Sequence, residues 1–276
     1  MWGIPDKPSL RKAKNDAAKT VEHCRGLDAA DEVKLKTLYE TYDLKKGRLD
    51  AADFAPLDGK KEIIKNQYLK TYGKGELSYI RRQLMKDVDR CPMCSILPPT
   101  DLDHFWNQSN YGQLAVCRLN LVPACGICNK KKTNGNPDDF VHAYYQQFPV
   151  GVIFLKANCK IVKGYVVPSF SIDGSRLGDA TLTRRLVSQM KEVKLKNRLR
   201  AASKGFLREL FQGTTFGTER ALKAYLSKAE KDKTDVFGPN DWRTALIRGL
   251  KVCPGMNMSI VLNYRKSTSR TRNGRI

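Results

Sequence analysis

Acidic residues are scarce in this chain of 276 residues: 28 Asp and Glu stand against 50 Lys and Arg, a formal charge of +22. That imbalance points to a polyanionic partner, and both nucleic acid and an anionic membrane qualify. Long apolar runs are missing as well. The longest cluster, around residues 152–155, falls far short of the roughly 20 residues of a spanning helix, which leaves nucleic acid and no membrane partner. The opening residues, Met1-Trp2-Gly3-Ile4-Pro5-Asp6-Lys7, lack the apolar stretch of a secretory signal, so a reducing cytoplasm is the expected location. In that compartment the eight cysteines do not read as a disulfide framework. There is no internal repeat, no Walker-type phosphate loop and no recognition module for a signalling nucleotide. Energy and sensing, where needed, would fall to a regulatory or ATPase protein partner. With 41% hydrophobic residues the chain suits one large or two modest soluble domains.

What is present is concentrated in residues 91–132. Four cysteines form two Cys-x-x-Cys pairs, Cys91 with Cys94 and Cys125 with Cys128, a spacing that lets each pair hold one side of a tetrahedral Zn2+. All four positions are thiolates and none is left open for water, so the expected zinc is structural. Cys24, Cys117, Cys159 and Cys253 are then free thiols. Cys117, on an expected second strand over residues 114–119, reads as a small core residue.

Between and beside the pairs stand Asp103 and His104 in Leu-Asp-His-Phe, Asn120 in Leu-Asn-Leu, and Asn129 directly after Cys128. His104 can take a proton near neutral pH, and Asp103 and Asn129 offer hard oxygen ligands suited to Mg2+ or Mn2+. This ordered set, ending at Lys132, resembles the HNH endonuclease family of the ββα-metal fold, in the form where the last His is replaced by Asn. The resemblance implies catalytic roles for His104, Asp103, Asn120 and Asn129: His104 as general base, Asp103 and Asn129 on the catalytic metal, and Asn120 bracing the loop that orients the imidazole. Neighbours on a regular strand face opposite sides; the resemblance therefore implies that the strand ends or twists at Asp103-His104. The longer layout, with Leu-Asp-His-Phe-Trp-x-x-Ser and Asn-Leu-Val-Pro, is similar to HNH effectors of bacterial anti-phage systems. Asn107 departs from that pattern, where many relatives carry Pro.

The expected fold class is α+β, a zinc-bound ββα core with helical flanks. Residues 1–90 read as a helical support region. Within it, Leu35, Leu38, Tyr39 and Tyr42 mark a helix from Asp31 to near Gly47, a second helix after Gly59 buries Ile64, Tyr68 and Tyr72, and a third covers residues 76–88. Residues 91–145 form the core. His142, within Phe-Val-His-Ala-Tyr, reads either as a further metal or phosphate contact or as a hydrogen-bonded, half-buried histidine. Residues 146–176 suggest a β hairpin around Ala157-Asn158, and residues 177–262 a basic helical region. There Leu182, Leu186, Met190 and Val193 form a stripe, and Arg184, Arg185, Lys191, Lys194 and Arg198 lie off it as a face for tracking DNA phosphates. Lys132 is a further candidate phosphate contact. Residues 263–276 read as a flexible basic tail.

Two alternatives compete with a DNA-cutting enzyme. One is a non-catalytic zinc-ribbon DNA-binding or scaffold protein in which Asp103-His104 is incidental. The other is an RNA-cutting toxin built on the same core.

Overall fold

The computed structural model describes residue 4 and residues 6–270, the last five of these by backbone alone. The chain forms two compact units, residues 2–147 and residues 148–276, where the sequence suggested five successive segments. The helices of residues 1–90 have no core of their own. Ala13 and Ala17, Leu35 to Tyr42, Ile64, Leu77 and Ile80 belong to one buried cluster with Leu102, Leu114 to Cys117, Leu119 and Leu121.

The first unit opens with α1 (Leu10–Glu22) and α2 (Ala29–Leu44). A reciprocal cap starts α2: the Asp28 carboxylate accepts from the Asp31 amide, and the Asp31 carboxylate accepts from the Asp28 amide. The helix expected after Gly59 is shorter than its periodicity suggested. It resolves into α3 (Ala51–Phe54) before it, α4 (Lys61–Asn66), and a tighter turn at Gln67–Thr71, so that Ile64 and Tyr68 are buried while Tyr72 is 45% exposed. The third helix, α5 (Ser78–Met85), stops early because Lys86 turns to an extended backbone, followed by a left-handed Asp87.

β1 (Asp101–His104) pairs antiparallel with β2 (Leu121–Ala124), and α6 (Gly126–Lys132) follows directly. The second strand therefore begins after residues 114–119, not within them. That stretch folds into successive tight turns, with the Cys117 amide bonded to the Leu114 carbonyl and the Asn120 amide to the Cys117 carbonyl. Cys117 is fully buried among apolar neighbours, which pushes its thiol up to about 12.

In the second unit β3 (Leu155–Val162) and β4 (Tyr165–Ile172) form a hairpin turning at Lys163-Gly164, both at positive φ, as a two-residue I′ turn requires. The turn expected at Ala157-Asn158 is mid-strand; these residues pair with Phe170 and Ser169. α7 (Ala180–Glu192) and α8 (Leu195–Phe211) carry the basic region as two helices, because Lys194 is left-handed. α9 (Glu219–Phe237) and α10 (Trp242–Lys251) follow. α10 packs so closely on β3 that a Cβ at Gly249 would sit 2.3 Å from the Ala157 carbonyl oxygen. α11 (Met258–Arg270) carries helical backbone into the expected tail, and residues 271–276 lie outside the described residues.

One buried ion pair ties the first unit together. Arg118 grips Asp16 of α1 with two nitrogens, Nε to Oδ2 at 2.5 Å and a second at 2.8 Å to Oδ1, while the Tyr79 hydroxyl donates to Oδ1 at 2.7 Å. Both side chains are almost wholly excluded from solvent. Removing one partner strands a buried charge, typically at a cost of about 3–5 kcal/mol. Arg118→Ala is therefore expected to lower the urea midpoint of the first unit's transition, followed by tryptophan fluorescence of Trp106; an unchanged midpoint would refute this assignment.

Candidate active site and metal centre

The four Sγ atoms of Cys91, Cys94, Cys125 and Cys128 lie within 4.8 Å of one another, all buried. Cys91 opens a tight turn in which the amides of Cys94 and Ser95 both bond to the Cys91 carbonyl, with Ser95 left-handed. Cys125 is the N-cap of α6 and Cys128 lies in its first turn. The Gly126 amide is capped by the Thr100 hydroxyl at 3.0 Å, which starts the helix at that point. Four sulfurs bound at about 2.3 Å around a tetrahedral ion stand about 3.8 Å apart, and Cys94 and Cys125 Sγ are 3.8 Å apart. The cluster has the chemistry and spacing to hold a structural metal such as zinc.

Beside it lies a cleft of about 880 Å³ whose lining includes Asp103, His104, Asn107 and Asn129. Asp103 and His104 are the last two residues of β1, paired with Val122 and Leu121, and both border the cleft. His104 packs edge-on to Tyr68, with ring centroids 4.4 Å apart. Its Nε2 is 2.9 Å from the Ala115 carbonyl oxygen. A carbonyl only accepts, so Nε2 carries the proton and Nδ1 is the basic nitrogen. Burial pushes the imidazole down to about 4, so the ring is neutral at physiological pH. Burial likewise raises the Asp103 carboxyl, against the opposing pull of Lys132. Asn107 is buried and its side-chain oxygen caps the Asn110 amide at 2.9 Å, which accounts for an Asn at that turn.

Lys132 differs from its expected role. Its ammonium is buried and faces inward, 3.0 Å from Asp103 Oδ2, and it donates to the carbonyls of His104 (2.5 Å) and Phe105 (3.2 Å). It fixes the end of β1 to α6 and does not meet solvent. Asn120 is fully buried, and its amide braces the loop: the oxygen accepts from the Trp106 amide and the Tyr42 hydroxyl, and the nitrogen donates to the carbonyls of Trp106 and Leu114. Leu114 adjoins Ala115, the acceptor for His104. His142 is not among the cleft residues. Its Nδ1 accepts from the Tyr144 amide, its Nε2 pairs with the Tyr42 hydroxyl at 2.8 Å, and burial holds it neutral.

The basic residues anticipated for DNA lie in the second unit. Arg184, Lys191 and Lys194 are exposed, Arg185 and Arg198 half-buried, and an Arg198 guanidinium nitrogen lies 3.5 Å from the Val193 carbonyl oxygen at the helix break. The sequence reading missed Tyr68, Arg118 and the Ala115 carbonyl. Helical spacing marked Tyr68 as buried but not against what, and a carbonyl's role leaves no trace in residue identity. Compared with known protein families, curated proteins and solved structures, the chain gives no match.

Two outcomes are expected. Purified protein should carry about one zinc per chain by elemental analysis, and Cys125→Ser should lose the metal together with several degrees of melting temperature; full stability without metal would remove the staple. His142 is neutral when folded but has a pKa of about 6.5 when unfolded, so its contribution is present above pH 6.5 and is lost as pH falls below that value. Wild type should therefore lose about 1 kcal/mol more than His142→Gln between pH 7.5 and 5.5 in paired denaturant titrations. Equal losses would show that the ring is not held neutral.

Proposed function

We propose that this chain is a metal-dependent endonuclease of the HNH type, hydrolysing phosphodiester bonds of DNA in the cleft beside the four-cysteine cluster. The observation that carries the reading is that Asp103, His104 and Asn129 line one cleft while the His104 tautomer leaves Nδ1 as the free base. The donor set fits a hard cation. The Asp103 carboxylate is buried with the Lys132 ammonium 3.0 Å from Oδ2 and 3.3 Å from Oδ1, so a metal held there would share it with that cation. No hydrogen bond from another described residue reaches the Asn129 amide. Asp103 and Asn129 would hold Mg2+ or Mn2+, which when bound supplies Lewis-acid polarisation of the scissile phosphate.

His104 would accept a proton from water at Nδ1, with the Ala115 carbonyl keeping the imidazole in the productive tautomer and stabilising its charged form. Tyr68 fixes the ring plane, and Asn120 holds the loop carrying Ala115. Lys132 shapes the site from behind by holding the His104 and Phe105 carbonyls. The basic residues of α7 and α8, with Lys194 between them, would supply a nucleic-acid partner surface; a role in anti-phage defence and restraint by a regulatory partner complete the reading.

A second reading draws on the Lys132–Asp103 contact, which partly satisfies the carboxylate without any metal. It makes the chain a zinc-stapled DNA-binding or scaffold module. His104→Ala separates the two: removing a general base should cut plasmid cleavage in Mg2+ or Mn2+ by about 10²–10⁴-fold with zinc content and a cooperative unfolding transition retained. Cleavage unchanged by the substitution would end the enzymatic reading as drawn. Total RNA digested in parallel distinguishes the RNA-cutting form.

A further inference from the structure

A second cavity, of about 360 Å³, lies wholly within residues 148–276, between β4, α8 and α11. Its wall includes Arg200, Lys204 and Arg208, which stand at i, i+4 and i+8 on α8 and so form one stripe with cations about 6 Å apart along the axis. All three are exposed, and none has an ion pair or hydrogen bond with another described residue. A solvated helix face usually mixes both signs; this stripe does not.

The opposite wall is aromatic and ordered. Tyr165 is 46% exposed, and its ring meets that of Tyr264 edge-on at 5.6 Å. Tyr264 is buried and fixed by the Val166 amide, which donates to its hydroxyl at 3.0 Å. Pro168 extends the apolar wall. Tyr165 is thus braced by the Tyr264 ring and keeps an accessible surface.

We propose that this cavity binds a nucleotide unit of single-stranded nucleic acid, phosphates along Arg200, Lys204 and Arg208 and an unpaired base against Tyr165. Unpaired cations at regular spacing beside an aromatic platform are what single strands require, because each base offers a π-face and each phosphate a charge. A duplex keeps its bases stacked within the helix and could use only the cations. The site is separate from the cleft and from the residues anticipated on α7, and it stands whether or not the chain cleaves.

The test is fluorescence anisotropy with 5′-labelled (dT)12 in magnesium-free buffer without chelator, across a salt series. The triple variant Arg200→Gln/Lys204→Gln/Arg208→Gln should bind at least tenfold more weakly and reduce the slope of log K against log salt by about 2, since each phosphate neutralised on a single strand contributes about 0.7. Tyr165→Ala should weaken binding by about fivefold or more with the slope unchanged. A control of equal charge on the exposed face of α9, Lys223→Gln/Lys228→Gln/Lys231→Gln, should keep most of the affinity. Adenosine monophosphate competing as well as unlabelled (dT)12 would identify a free nucleotide as the ligand, whereas competition by (dT)12 alone would identify a strand. Equal losses in the stripe and control triples, or Tyr165→Ala binding like wild type, would overturn the proposal.

Discussion

Four sulfurs gathered within 4.8 Å hold a turn of the chain against the first turn of α6, and the cleft depends on that junction. α6 is only seven residues long, too short to persist by its own hydrogen bonds. Cys125 and Cys128 anchor one end of it, and Lys132 anchors the other through Asp103 and the carbonyls that close β1. Asn129 lies between two fixed points. A side chain on a marginal helix thereby acquires a defined position.

Behind the strands, precision is transmitted by hydrogen bonds. The His142 ring meets the Tyr42 hydroxyl, which donates to Asn120, which holds Trp106 and Leu114; Ala115 then fixes His104. Every member except the half-buried Trp106 is buried, so a broken link would leave an unsatisfied polar group with little water to replace it. The imidazole's orientation is thus set by residues up to 100 positions apart in sequence. This is how a four-residue strand can end in a precise geometry.

The parts of this arrangement legible in the sequence were those encoded by spacing. Cys-x-x-Cys pairs, the apolar period of α2 and the stripe Leu182, Leu186, Met190 and Val193 announced themselves because each depends on local periodicity. The parts that were hidden depend on long-range contact. The stretch 114–119 is apolar enough to read as a strand, but turn hydrogen bonds bury it instead. Lys132 ends a run of three lysines and reads as a cation placed to meet a phosphate until β1 presents carbonyls to it. The hairpin was misplaced because Ala157-Asn158 resembles a turn, whereas Lys163-Gly164 adopts the positive φ angles that close one.

The bidentate grip of Arg118 on Asp16 bears on how portable the ββα segment is. A graft of residues 91–145 into another protein would carry an arginine with no counter-ion, an imidazole without the ring of Tyr68 beside it and an Asn120 deprived of Tyr42. The smallest transplantable piece is the whole unit of residues 2–147. Substitutions at Asp16 in α1 or Tyr42 in α2 therefore reach the cleft through buried contacts, as substitutions in the strands do.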